Sequence, residues 1–250
     1  MDTTFLELRA AKVLSRFDPE KLRKSLEARP FMIEFFGTPK SGKSTMKEML
    51  KHFFKRNGLS VSTPTEGAEV VEWIRRHEPE YNLQTGEYAL SYARERALGP
   101  GHRDFHVVIF DRAIYDCVAR MEYYVTTRKI SKPHRRAVEG YFLLPHNKGL
   151  FDLHVCLVAQ PEVAIRRELA RALTKRPGET MNTDTLAKLR GAHESMWKRL
   201  HCGDDASMVW HDSSKENEQE TALSILGSAL ESFCRRLDAE QEKVKTTTAP

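Results

Sequence analysis

The chain has 250 residues, 40% of them hydrophobic and 30% charged, with a formal net charge of +5. That suffices for one large domain or two small ones, and no run approaches the ~18 consecutive apolar residues of a membrane span. The opening MDTTFLELRAAKVL has an early acid and no small-residue cleavage site after an apolar stretch, so it does not read as a secretory signal.

Taken in chain order, residues 1–30 read as an N-terminal helical extension, with Pro19 near a helix start and Pro30 as a stop. FMIEFFG, residues 31–37, is a short apolar run and the first predicted strand. A turn rich in glycine and lysine leads into a helix over 43–56 that ends at Gly58. SVST (60–63) is a short strand followed by the turn TPTEGA, and residues 69–77 read as helical with Trp73 on the apolar side. A helix over 84–98 is stopped by Gly99-Pro100-Gly101. HVVIFDR (106–112) is a continuous apolar run ending in Asp111, as a buried parallel strand reads. Helices over 113–128 and 133–144 lead to a second buried strand, DLHVCLVA (152–159). Pro161 opens another helix; TKRPGETMN is a polar loop; 183–200, 207–212 and 216–240 read as helix, strand and helix. Strands alternating with helices predict one α/β domain over 31–240, with a parallel sheet covered on both faces. A lid spans about 165–182, and 241–250 is expected to be a disordered tail.

The decisive stretch is GTPKSGKST, Gly37 to Thr45. Its spacing, Gly37, four residues, Gly42, Lys43, Ser44, is that of a phosphate-binding loop. Glycines permit backbone angles that other residues resist, and let main-chain N–H groups approach phosphate oxygens. The following helix adds its free N-terminal N–H groups and the positive end of its dipole. Gly37, Thr38, Pro39, Lys40, Ser41, Gly42, Lys43, Ser44 and Thr45 are therefore expected to cradle a nucleoside triphosphate. Lys43 would reach its terminal phosphates, and Ser44 would hold magnesium with Asp111, partly through water. Arg112, beside Asp111, suits stabilisation of a phosphoryl group in flight; a strand-end salt bridge is the less favoured alternative.

Other nucleotide chemistries fit less well. A GTP switch needs a guanine-reading N-K-x-D segment, but HNKGLFD (146–152) has Leu150 where the aspartate should stand. The Asp-Gly-Phe-Pro-Arg motif of adenylate-kinase-type sequences is missing. Cys117, Cys156, Cys202 and Cys234 are scattered with no C-x-x-C pair and read as free thiols in a reducing cytosol, so a cytoplasmic location is expected. The histidines show no metal-ligand spacing, leaving magnesium as the only expected metal. The positive charge, spread along the chain, reads as a polyphosphate site plus solvated helix faces, with nucleic acid the less favoured partner.

Piecewise over residues 31–212, the chain resembles the thymidylate kinase and deoxynucleoside kinase group of P-loop kinases. TPTEGA is similar to their glutamate-containing turn, VVIFDRAIYD to their strand-end Asp-Arg motif, and FDLHVCLVAQPEVAIRREL to their fourth strand and lid helix. ALSYARERA looks like the thymidylate kinase helix that ends in an acceptor-gripping arginine. The resemblance implies a three-layer α/β/α P-loop fold with a mostly five-stranded parallel sheet and an arginine-bearing lid. It implies an ATP- and magnesium-dependent kinase of a nucleoside, nucleotide or related small acceptor. It places Lys43, Glu66, Arg112 and Arg167 in catalysis, and Glu66, Arg96 and Arg112 on the acceptor; by helix spacing Arg171, one turn beyond Arg167, is a further candidate for the donor phosphates, and Tyr92 for stacking on an acceptor base. Arg176 and Tyr88 are weaker candidates, and Glu69 is the alternative to Glu66. The sequence departs from the group where Gly67 replaces a proline after Glu66, where Ala159-Gln160 replaces an acidic residue, and in TKRPGETMN. The acceptor therefore stays open, as do a homodimer, a nucleotide-binding regulatory ATPase and a kinase of nucleic-acid 5′ ends.

Overall fold

The computed structural model describes residues 29–99, 104–171, 178, 180–215 and 217–247, with Thr4 and Leu8. The predicted N-terminal extension and most of the polar stretch 172–179 lie outside the described residues. Five strands form one parallel sheet: β1 (Phe31–Gly37), β2 (Val61–Ser62), β3 (Val107–Asp111), β4 (Leu153–Val158) and β5 (Met208–Asp212). Their order is β2-β3-β1-β4-β5. The helices are α1 (Lys43–Arg56), α2 (Gly67–Val70), α3 (Pro79–Leu98), α4 (Ile114–Thr126), α5 (Lys132–Phe142), α6 (Pro145–Lys148), α7 (Pro161–Arg171), α8 (Thr183–Arg199) and α9 (Glu218–Thr247).

The strands' apolar runs are explained by burial on both faces. Phe31, Ile33 and Phe35 of β1 face one way, onto Met46, Leu50 and Phe54 of α1 and Ile225, Ala229 and Phe233 of α9. Met32 and Phe36 face the other way, into a core with Leu90 and Ala93 of α3 and Ile114, Val118 and Met121 of α4. The spacing of two along the strand and of four along α1 sorts these side chains without exception. Asn57 and Gly58 end α1, Gly58 at φ 81°.

Three elements differ from the sequence reading. The predicted helix over 69–77 stops after α2, where the β-branched pair Val70-Val71 is a poor helix former, and Trp73 is 72% exposed rather than on an apolar side. Conversely α3 begins five residues early, with Pro79 in its first turn, where a fixed φ suits the helix. Gly86 lies inside it: a Cβ there would stand 2.9 Å from the Phe142 ring, so the glycine admits the neighbouring helix. Third, α9 runs on to Thr247, through a stretch of Glu, Gln and Lys that favours helix, where the sequence suggests a disordered tail from 241. Among the described residues no helix is long and apolar enough to cross a membrane.

Candidate active site

From β1 the chain leaves through α1 toward β2, on one side of the sheet; from β4 it leaves through α7 and α8 toward β5, on the other. Such a reversal opens a crevice at the carboxyl ends of the two central strands. The loop Gly37 to Thr45 lies there. Gly37 has φ 133°, and a Cβ on it would sit 1.8 Å from the Leu157 carbonyl oxygen of β4. Only glycine allows this approach, and the next residue then donates its N–H to that same carbonyl at 3.1 Å. Lys40 at φ 55° and Gly42 at φ 98° curl the loop further. The backbone N–H groups of residues 40–45 find no protein acceptor among the described residues, and the buried Ser41 hydroxyl has none either. A ring of unmet donors at a helix N-terminus is an anion cradle.

Lys43 spans the loop, its Nζ donating to the carbonyls of Thr38 at 2.7 Å and Gly37 at 3.3 Å. Burial first, and then the charge of Arg112, lowers its pKa to about 8. Ser44 Oγ donates to Asp111 Oδ2 at 2.7 Å, so the two oxygens expected to hold magnesium meet at the end of β3. Lys47, unremarked in the sequence, stands 3.6 Å from the same Asp111 oxygen.

Arg112 follows Asp111 in the left-handed region, φ 70°, rare for a non-glycine residue and characteristic of constrained sites. Its Nε is 2.7 Å from Glu66 Oε1, an ion pair whose angle is not that of a hydrogen bond, and its Nη1 donates to Asp116 Oδ2 at 3.1 Å. Burial raises the pKa of Glu66 despite the pull of Arg112. Asp116 behaves oppositely: burial works against its charge, but Arg112, Arg120, His193 and Lys43 together hold its carboxyl well below the usual range.

Two clefts meet here. The first, about 440 Å³, is walled by the phosphate loop with Glu66, Asp111, Arg112 and Arg167. The second, about 450 Å³, lies between α2, α3 and α4 and is lined by Tyr81, Asn82, Thr85, Asp116 and Arg120 among others. Pro39, Lys40, Glu66 and Arg112 belong to both walls. Glu69 is exposed and lines only the second.

The lid arginines divide. Arg167 of α7 donates to the Lys40 carbonyl at 3.1 Å and to the Ser213 hydroxyl and carbonyl at 3.0 and 2.8 Å, tying α7 to the phosphate loop and the turn after β5. Lys40 and Glu168 add an ion pair at 2.7 Å. Arg171 closes α7, but its side chain, like all of Arg176, lies outside the described residues. Arg96 and Tyr92 line neither main cleft. Arg96 pairs with Asp104 at 3.4 Å and stacks over the Tyr92 and Phe105 rings; Tyr92 meets the Ser62 hydroxyl at 3.1 Å and packs on Phe110. Tyr88 borders a small space beside Tyr92. Cys117, Cys156 and Cys202 are buried free thiols, with pKa values raised by burial.

No sequence family and no curated protein matches this chain. Solved structures do. A deoxyadenosine kinase from M. mycoides with bound dCTP aligns with TM-score 0.53 at 18% identity, over 81% of this chain and 100% of that one. The same enzyme with bound dATP aligns with TM-score 0.55 at 16% identity, over 79% of this chain and 97% of that one. The fold is that of a P-loop deoxynucleoside kinase. Asp116 and Arg120, which line the second cleft, are residues that sequence reading passed over. Asp116 stands inside the quoted DRAIYD, four residues after Arg112, and its helical register was the available signal.

Proposed function

We propose that the chain is an ATP-dependent kinase that moves the terminal phosphoryl group of Mg-ATP to a nucleoside, nucleotide or related small acceptor. The observation that carries this is the pair of clefts joined at Glu66 and Arg112. A protein that only hydrolyses or senses ATP needs the first cleft; a second space of ligand size opening onto the same arginine suits a transfer between two bound molecules. That the structural neighbours hold deoxynucleotides favours the same class.

In this reading the free N–H groups of residues 40–45 and Lys43 bind the donor phosphates, with Ser41 and Arg171 as further contacts. Ser44 and Asp111 fit magnesium, a hard cation that takes oxygen ligands and that would neutralise charge on the terminal phosphates. Arg112 faces the junction of the clefts, where negative charge develops as the terminal phosphorus leaves ADP and joins the acceptor oxygen. Glu66 can take the proton of an acceptor hydroxyl or orient an acceptor phosphate. Arg167, bonded to the loop backbone, acts by holding α7 over the donor and excluding water.

The test is ADP release from Mg-ATP, with the protein alone and with a panel of nucleosides, nucleoside monophosphates and 5′-hydroxyl oligonucleotides. Stimulation by one class, lost in Lys43→Ala with the melting temperature retained, is the expected result. ATP binding with no stimulated turnover anywhere in the panel would return the chain to a regulatory nucleotide-binding role.

A further inference from the structure

The wall of the second cleft contains a cation that phosphoryl transfer, as described above, leaves without a task. Arg120 lies one turn beyond Asp116 on α4, with its side chain 13% exposed. Its one ion pair among the described residues is with Asp116, Nε to Oδ2 at 3.8 Å, and it makes no hydrogen bond there; the Nε is fully buried. That same Oδ2 accepts from Arg112 at 3.1 Å, while Oδ1 faces the Gly37 N–H at 3.4 Å. One carboxylate is thus shared by two guanidiniums, and the nearer one takes it. Burial, and then the charge of Arg112, disfavours the charged form of Arg120. Arg76, exposed on the segment after α2, lines the same cleft and has no ion pair or hydrogen bond among the described residues.

A guanidinium offers five N–H donors in a planar fork that matches phosphate oxygens, and leaving such donors unmet in a buried wall is costly. A neutral sugar and base supply no counter-charge. We propose that Arg120, with Arg76 at the mouth, forms an anion subsite, and that the acceptor is a phosphomonoester of nucleoside-monophosphate size rather than a neutral nucleoside. This rests on the kinase reading only in naming the second cleft the acceptor side. The chemistry is consistent with Glu66 remaining engaged by Arg112. The second ionisation of a phosphomonoester lies near pH 6, so at neutral pH its oxygen attacks the terminal phosphorus of ATP already deprotonated. The bond to ADP breaks, a diphosphate forms, and no base has to remove a proton.

The experiment is calorimetric binding of the common nucleoside 5′-monophosphates and of the matching nucleosides. The first cleft is kept filled by magnesium and a non-hydrolysable ATP analogue, so that phosphate cannot enter the loop instead. Binding of a monophosphate at least about tenfold tighter than its nucleoside is expected, with Arg120→Gln removing most of that preference. Arg76→Gln, at an exposed position with no hydrogen bond or ion pair among the described residues, should weaken the monophosphate selectively and carries the test if Arg120→Gln does not fold. Nucleosides binding as tightly as monophosphates, neither class binding, or a preference unmoved in both variants would each overturn the subsite. Turnover is read separately: a monophosphate that binds through Arg120 but draws no ADP from Mg-ATP sinks the kinase reading and leaves the subsite standing.

Discussion

Lys43 is held as a cation in a place that disfavours cations. Its pKa falls from the ordinary 10.5 to about 8 because it is buried and faces Arg112. The protonated form is the one that attracts phosphate, and it is lost as pH rises through about 8. The kcat/KM for ATP is therefore expected to fall on the alkaline side of about pH 8, and Lys43→Arg, which does not titrate there, should lack that limb. The same shift has a stability consequence of known sign. Between about 8 and 10.5 the unfolded chain binds more protons at this residue than the folded one, so its contribution to the stability of the nucleotide-free protein rises with pH across that window. Arg112 is the second residue whose proposed role and structural role overlap, since it pairs with both Glu66 and Asp116. Arg112→Lys keeps that charge and discards the fork. Turnover should drop by ~10²–10³ with most of the thermal stability kept; a fall in melting temperature with turnover preserved would make the arginine a structural salt bridge.

At the scale of elements, the position of α4 depends on an acid in the middle of a hydrophobic strand. Glu34 of β1 is fully buried, accepts the N–H groups of Ala113, Tyr115 and Asp116 at 2.9 to 3.2 Å, and lies 2.9 Å from His154 Nδ1. It satisfies the free donors at the start of α4 and so orients the helix that bears Asp116 and Arg120. Glu34→Ala should cost on the order of 3 kcal/mol in urea unfolding, because those donors would be orphaned, and Glu34→Gln less, since one oxygen still accepts. Equal stability of all three proteins would remove this role. The acid was visible in FMIEFF, but its partners lie 79 to 120 residues away, beyond any local pattern. The helix after β2 fails for the same reason in reverse: the local pattern around Trp73 looked helical, but among the described residues that side chain stays 72% exposed.

Across the whole molecule, the end of the sheet opposite the clefts is fastened by Asp152. It accepts two hydrogen bonds from Arg29 at 2.8 Å each, one from Arg236 of α9 at 2.9 Å, and the Met32 N–H at 2.8 Å. The chain entering β1, the start of β4 and the last helix thus meet on one carboxylate. Asp152→Ala would leave two guanidiniums without their shared counter-charge, one of them nearly buried, and should lower unfolding free energy by ~3–5 kcal/mol. Because the phosphate loop lies at the other end of β1, kcat per folded molecule should change little; a variant as stable as the parent would show that the network contributes nothing net.

The amino-acid sequence alone determined the features that are local. Gly37, Gly42, Lys43 and Ser44 announce the phosphate loop by spacing, and apolar runs of strand length alternating with amphipathic helices announce a parallel sheet with both faces covered. Asp111 and Arg112 were legible because they end one such run. The second cleft was not legible, because its walls come from α2, α3, α4 and the segment beyond α7, which meet only when the sheet is assembled. Arg96 and Tyr92 stood on a suggestive helix face, yet packing turned them toward Asp104, Phe105 and Phe110. Asp116 and Arg120, one turn apart on a helix whose orientation is set by Glu34 from a distant strand, face the cleft instead. Backbone conformation is written in short-range sterics and hydrophobic period; which charged side chains share a cavity depends on long-range closure, and only the tertiary structure decided that.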